Sequence, residues 1–252
     1  MRLEGEVAIV TGSGAGIGRA IAERFAQEGA AVVIAEIHAD SGQNVAQAIR
    51  DAGGQSMFIP TDVSDEAQVK SMVEKTLAQL GKIDVLCNNA AVLFFDREAP
   101  AHELSSEVWD RTMAVNLRGY WLTSKYVIPA MLRAKRGSVI HVASPTGIYG
   151  FTRLTAYSAS KGGVLGLMRA MAADYAPEGI RVNAIIPGTI DTPMNAQEFS
   201  SPEARERYAA ITPARRLGTP KDLAGMAAFL ASNDSDYCVG GVFTVDGGLT
   251  AI

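Results

Sequence analysis

Short apolar runs alternate with amphipathic stretches along the whole of the chain. Val7–Thr11, Ala31–Glu36, Gln55–Pro60, Ile83–Cys87, Val139–Val142, Arg181–Ile186 and Val242–Val245 span four to six residues each and read as buried strands. Between them Arg19–Glu28, Ser41–Ala52, Asp65–Leu80, Val108–Ala134, Ala156–Ala176 and Asp222–Ala231 carry the helical period, with Gly53-Gly54 and Gly81 closing two of the helices. Strands alternating with helices in this way predict an α/β fold of parallel βαβ units, crossed over right-handed, with helices on both faces of the sheet. No repeat beyond that unit and no low-complexity tract divides the chain, so residues 1–252 read as a single domain. Met194–Thr219 stands apart, being polar without a clear apolar face. With Asp191-Thr192-Pro193 ahead of it, the segment 191–219 reads as a mobile lid over a binding edge rather than a linker.

Composition narrows the class. At 252 residues, 48% apolar and 20% charged, the chain suits an ordinary globular protein with a substantial core. A net charge of −4, with Lys and Arg scattered, argues against a nucleic-acid surface. No run approaches eighteen apolar residues, and the start carries charges where a signal peptide needs an apolar core, so a cytoplasmic location without membrane contact is expected. Cys87 and Cys238 lie far apart, and His38, His102 and His141 are isolated, so no metal site is expected.

Candidate chemistry gathers just after strand ends. Gly12, Gly16 and Gly18 follow the first strand and open the first helix, the setting in which a glycine-rich turn admits a pyrophosphate. Gly12 would permit the tight turn, Gly16 the close approach of backbone to phosphate, and Gly18 the packing of helix on strand. The helix N-terminus adds free N–H groups and a positive dipole end. Glu36 ends the second strand about twenty residues later, where a carboxylate can accept hydrogen bonds from ribose hydroxyls and repel a 2′-phosphate. Neither an arginine nor a lysine stands beside it in sequence: Ile37 and His38 follow, and Ser13 occupies the turn. Asp62-Val63 and Asn89-Ala90-Ala91 fall just past later strands, on the edge where ligands bind in such sheets.

Tyr157 and Lys161 are four apart in a helical stretch and so leave it on one face. A phenol serves as a general acid/base only if its pKa falls from about 10 towards neutrality, roughly 4 kcal/mol, which one nearby ammonium can supply. The spacing alone is not diagnostic, since Trp121 and Lys125 share it. Its company decides, with Ser144 thirteen residues ahead and Asn116 in the preceding helix.

Taken together, Thr11-Gly12-x-x-x-Gly16-x-Gly18, Asn88-Asn89-Ala90, Asn116, Ser144, Tyr157-x-x-x-Lys161 and Pro187-Gly188 resemble the short-chain dehydrogenase/reductases over the whole chain. The resemblance implies a Rossmann-type, doubly wound, seven-stranded parallel sheet of order 3-2-1-4-5-6-7. It also implies a nicotinamide coenzyme and hydride transfer at an alcohol or carbonyl carbon. By position it makes Tyr157 the acid/base, Ser144 the holder of the substrate oxygen, Lys161 the group that lowers the tyrosine pKa and binds the ribose, and Asn116 the anchor of a proton-relaying water. The coenzyme is expected to meet Gly12, Ser13, Gly16, Ile17 and Gly18, then Glu36, Ile37, Asp62 and Val63, then Asn89, Ala90 and Ala91. It would also meet Tyr157, Lys161, Pro187 and Gly188, with Ile190 and Thr192 at the carboxamide. Ala91 departs from the glycine common at that place.

Glu36 makes NAD the expected coenzyme. Thr146 and Tyr149 with Ser144 and Tyr157 are expected at the substrate, beside Leu93, Phe94 and Phe95 and the lid residues Asn195, Gln197 and Glu198. That mixture favours a sugar or cyclic polyol, with a hydrophobic cyclic or aryl secondary alcohol as the alternative. An epimerase or dehydratase of the extended branch would need a larger C-terminal domain, and a non-catalytic NAD-binding sensor would not need Ser144, Tyr157, Lys161 and Asn116 together. A homotetramer is expected by resemblance, supported by Leu165, Leu167, Met168 and Met171 among small residues on one helix.

Overall fold

In a computed structural model, described for residues 1–251, the strands are β1 (Val7–Thr11), β2 (Ala31–Glu36), β3 (Gln55–Pro60), β4 (Val85–Asn88), β5 (Gly137–Val142), β6 (Ile180–Pro187) and β7 (Val242–Val245). All pair in parallel in one sheet of order β3-β2-β1-β4-β5-β6-β7. The helices are α1 (Gly16–Gln27), α2 (Ala39–Asp51), α3 (Glu66–Leu80), α4 (Ser106–Met113), α5 (Gly119–Ala134), α6 (Thr155–Tyr175), α7 (Pro202–Ile211) and α8 (Pro220–Ala231). None is long and apolar enough to cross a membrane, among the described residues.

The apolar runs are continuous because the central strands are covered on both sides. Ala8 and Val10 of β1 share one core with Ile21 and Phe25 of α1 and Leu223 of α8. Ile9, between them, belongs to the opposite core with Val127 and Met131 of α5 and Val164 and Met168 of α6. A period of two along the strand thus feeds two layers at once. The order reverses between β1 and β4, which opens a crevice at their carboxyl ends. Two turns meet there, one after Thr11 and one after Asn88.

The structure departs from the sequence reading in three places. β4 starts at Val85, not Ile83, because the Asp84 carboxylate turns aside to accept the Val7 amide at 2.8 Å. The single helix expected over Val108–Ala134 is instead α4, a π turn (Ala114–Arg118) and α5. A π turn accommodates one extra residue, and this one holds Asn116. The segment 191–219 is not irregular throughout: α7 lies inside it, opened by the Ser201 hydroxyl accepting the Ala204 amide at 3.1 Å. No residue of α7 is buried, which is why it shows no apolar face.

Candidate active site

The chain leaves β1 through Gly12 at φ +62° and enters α1 through Gly16 at φ +54°, both in the left-handed region that favours glycine. A Cβ on Gly12 would stand 2.7 Å from the Ala90 Cα, and one on Gly18 would collide with the Gly12 carbonyl and the Asn89 amide. These glycines therefore let the ends of β1 and β4 and the start of α1 close on one another. Asn89 fastens the contact, its Nδ2 donating to the carbonyls of Thr11 at 3.1 Å and Gly12 at 3.0 Å. No side chain caps α1, so its first-turn amides are available to an anion.

Glu36 is bound into the same turn. Its Oε2 accepts the Gly14 amide at 3.0 Å, and its Oε1 accepts the amides of Ile37 at 2.9 Å and His38 at 3.1 Å. Beyond it runs a cleft of about 300 Å³, between the ends of β1 and β4. Gly12, Gly16, Ile17, Glu36 and Ile37 line one end, Asp62, Val63, Asn89, Ala90 and Ala91 its length, and Thr192 the far wall. An uncapped helix start, a glycine turn and a long cleft fit a dinucleotide. Other expected residues stand behind this lining. The Ser13 hydroxyl is buried and donates to the Val10 carbonyl at 2.7 Å, Gly18 packs under the turn, and Ile190 lies in the core with Leu223. Pro187 and Gly188 end β6 against Asp246, which a Cβ on Gly188 would meet at 2.6 Å.

Arg111 had no sequence signal and lines the cleft from α4. Its guanidinium donates to the Ser64 hydroxyl at 2.8 Å and to Asp62 at 3.4 Å. Burial alone would raise the Asp62 pKa, but the hydrogen bonds from Ser64 and the charge of Arg111 hold it below the ordinary value.

On the neighbouring strand ends, α6 presents Tyr157 and Lys161 on one face, both buried. The Lys161 Nζ lies 5.7 Å from the centre of the Tyr157 ring, yet it donates to the Val142 carbonyl at 2.8 Å and lies 3.5 Å from the Tyr120 hydroxyl. Burial pushes the Tyr157 phenol up to about 12, with the Ser144 hydroxyl acting the other way, and it brings Lys161 down to about 7. In the chain alone, the expected lowering of Tyr157 by Lys161 is thus absent. The ammonium bonds a carbonyl rather than the phenol, and burial disfavours both charged forms. Ser144 also takes hydrogen bonds from Thr146, at 3.3 Å from its amide and 3.0 Å from its hydroxyl.

Asn116 uses its whole amide. Oδ1 accepts the Val92 amide at 2.8 Å, and Nδ2 donates to the Val92 carbonyl at 2.9 Å and the Ser160 hydroxyl at 3.2 Å. The π turn is thereby tied both to the chain leaving β4 and to α6. Beneath Lys161, Tyr120 stacks on His141 with ring centres 5.5 Å apart. Asn88 Oδ1 accepts the Thr123 hydroxyl at 2.6 Å, which turns its NH₂ towards His141 Nδ1 at 3.2 Å. His141 Nε2 then carries the ring proton and has no partner among the described residues. Burial brings its pKa down to about 3, with the charge of Lys161 acting the same way.

The substrate side matches the expectation only in part. Leu93, Phe94, Phe95 and Thr146 are half-buried and Tyr149 is exposed. The polar groups of segment 191–219 named above are taken up within the chain: Asn195 donates to the Ile190 carbonyl at 2.8 Å, Gln197 to Asp96 at 2.7 Å, and Glu198 accepts the Tyr208 hydroxyl.

A parallel sheet in this order, with a phosphate-sized turn at its switch point, places the molecule among Rossmann-type α/β proteins. The chain belongs to the short-chain dehydrogenase/reductase family of oxidoreductases, its residues 12–250 matching the family model described as enoyl-(acyl carrier protein) reductase. It is similar to the cis-4-hydroxycyclohexanecarboxylate dehydrogenase of Sinomonas cyclohexanicum, 41% identical over 98% of this chain and 97% of that one. It is 40% identical to the 3-oxoacyl-(acyl-carrier-protein) reductase FabG of Thermotoga maritima over 99% of both. Among solved structures, a gluconate 5-dehydrogenase from Burkholderia cenocepacia, in complex with NADP and tartrate, superposes with a TM-score of 0.94 at 35% identity, covering 100% of this chain and 97% of that one.

Proposed function

We propose that the chain is an NAD-preferring dehydrogenase that interconverts a secondary alcohol on a ring and the corresponding ketone. The observation that carries this reading is the burial of Tyr157, Lys161 and Ser144 together, with the Lys161 Nζ 5.7 Å from the centre of the Tyr157 ring. When bound, an oxidised nicotinamide coenzyme would supply the hydride acceptor for the substrate carbon. Ser144 holds the substrate oxygen, and Tyr157 takes the hydroxyl proton as its carbon becomes a carbonyl. Lys161 would stabilise the phenolate and hold the coenzyme's ribose. Asn116, its amide taken up by Val92 and Ser160, fixes the π turn against α6.

Glu36 supports NAD over NADP. The amides of Gly14, Ile37 and His38 form a nest that would suit a phosphate, and the carboxylate occupies it with its own charge. Arg111 lines the same cleft but is bonded to Asp62 and Ser64. For the substrate, the half-buried Leu93, Phe94 and Phe95 favour a ring with apolar faces. A sugar or polyol would draw on Asn195, Gln197 and Glu198, and each has a partner within the chain. A cyclic secondary alcohol with few hydroxyls therefore leads, in keeping with the likeness to the hydroxycyclohexanecarboxylate dehydrogenase. The polyol reading keeps Thr146, Tyr149 and the likeness to the gluconate 5-dehydrogenase. NADH formation from NAD with cyclohexanols, hydroxycyclohexanecarboxylates, polyols and aldonates decides between them. No NADH from any of these alcohols would remove the reading.

A homotetramer is part of the same proposal. Leu167 of α6 with Met113, Leu117 and Trp121 lines an open apolar groove that no described residue covers.

A further inference from the structure

Glu98 is one of two buried carboxylates among the described residues, the other being Glu36. It lies in the loop between β4 and α4 and has no cationic partner. Instead its two oxygens reach across to the start of α6. Oε2 accepts the Ala156 amide at 3.1 Å and Oε1 the Tyr157 amide at 2.8 Å. The residue at the N-cap of α6, Leu154, offers no side-chain acceptor, so the helix is capped from a distant loop. A neighbouring bond strengthens the tie, the Thr155 hydroxyl donating to the Ala99 carbonyl at 2.7 Å. The loop is itself closed, with the amides of Arg97 and Glu98 both donating to the Phe94 carbonyl, at 2.8 and 2.9 Å. Asp96 meets Gln197 of the lid.

We propose that Glu98 is a positioning residue for Tyr157. Resting on the dehydrogenase reading above, the inference is that its carboxylate fixes the first turn of α6, and with it the reach of the phenol towards Ser144 and Lys161. A carboxylate suits this task because it is acceptor-only, and its charge lies at the positive end of the helix. Glutamine keeps the shape but turns an NH₂ towards one of two N–H groups, leaving that amide orphaned. Glu98 and its neighbours Arg97 and Ala99 do not line the dinucleotide-sized cleft, so coenzyme affinity is largely independent of them. The loop also carries Phe94 and Phe95, so the same tie joins the substrate wall to the acid/base.

The test compares wild type, Glu98→Gln, Glu98→Asp and Tyr157→Phe in three readouts: kcat with an alcohol from the panel, NADH affinity, and amide exchange at residues 155–158. Glu98→Gln should lower kcat by about 100-fold, the scale of a small misplacement of a reacting group. NADH affinity should change by no more than about threefold, since only interactions made in the transition state are lost. The amides of Ala156 and Tyr157 should lose protection. Glu98→Asp, which keeps charge and both acceptors, should recover part of the rate and the protection. A Glu98→Gln variant with wild-type kcat and unchanged exchange overturns the proposal, as does one in which kcat and NADH affinity fall together. If wild type turned over no alcohol, the dehydrogenase reading would fail, and the exchange at Ala156 and Tyr157 would still decide whether Glu98 holds the turn.

Discussion

Lys161 donates to the Val142 carbonyl at 2.8 Å, although Tyr157 lies one turn away on the same face of α6. The pair therefore rests in a form in which burial keeps the phenol protonated and weakens the lysine's hold on its proton. Raising the tyrosine pKa to about 12 means that Tyr157 ionises only at strongly alkaline pH in the free chain. A phenolate difference spectrum against Tyr157→Phe should thus show no Tyr157 signal near pH 10 without coenzyme. With NAD present the signal should move to lower pH, and the rate of alcohol oxidation should rise with pH through the same range, its apparent pKa belonging to the pair. Tyr157→Phe should lower turnover by a factor of about 100 to 10,000 while NADH binding stays nearly intact. A variant that kept near wild-type rates would remove Tyr157 from the chemistry.

Glu36→Ala should open the anion nest that the carboxylate fills. Three amides would become free to bind a phosphate and one negative charge would go. The ratio of kcat/KM for NAD over that for NADP should fall by about tenfold or more, the scale of a charge-assisted hydrogen bond. Steady-state kinetics with both coenzymes checks this. Equal efficiency for the two in wild type would sink the NAD assignment itself.

His141 should leave a mark on acid stability. Its pKa is about 3 in the fold against 6.5 for an ordinary histidine. Between those values the unfolded chain binds the extra proton, so stability falls as pH drops below 6.5 and is unaffected by this group above it. The slope from one such group is at most about 1.4 kcal/mol per pH unit. His141→Gln should therefore flatten the acid side of a stability curve measured by denaturant between pH 6.5 and pH 4. Parallel curves for the two proteins would show that the ring is not held neutral.

Leu167→Glu should split the proposed tetramer, because it sets a charge in the groove beside Trp121. Sedimentation at micromolar concentration should give a smaller species than wild type. A wild-type chain that sediments as a monomer would contradict the assembly.

Much of this was legible because the sheet is parallel. Strands covered on both faces must be apolar along their whole length, so Val7–Thr11 and Ala31–Glu36 stand out without help from neighbours. The glycine turn was equally open to reading, since Gly12 and Gly16 answer to positive backbone angles set within the turn itself. What stayed hidden depends on contacts far along the chain. The π turn goes with a bond between Asn116 and Val92, and α6 is capped from Glu98, an acid in a distant loop that carries no local sign of its task. The resting partner of Lys161 is a backbone carbonyl, to which sequence is blind. The exposed α7 failed for the opposite reason, because it has no buried face to betray it.

The crossover at the centre of the sheet also governs when the molecule comes into being. Ala8 pairs with Val32 on one side and with Val85 on the other, so β1 waits for a neighbour from much later in the chain. The cleft waits longer still, with Gly12 on one wall and Thr192 on the other. Folding is slow when such distant pairings dominate. A dinucleotide has no cleft to hold until nearly all of them are made. It should therefore leave the refolding rate almost unchanged and act on unfolding instead, lengthening the lifetime of the native chain in proportion to its concentration.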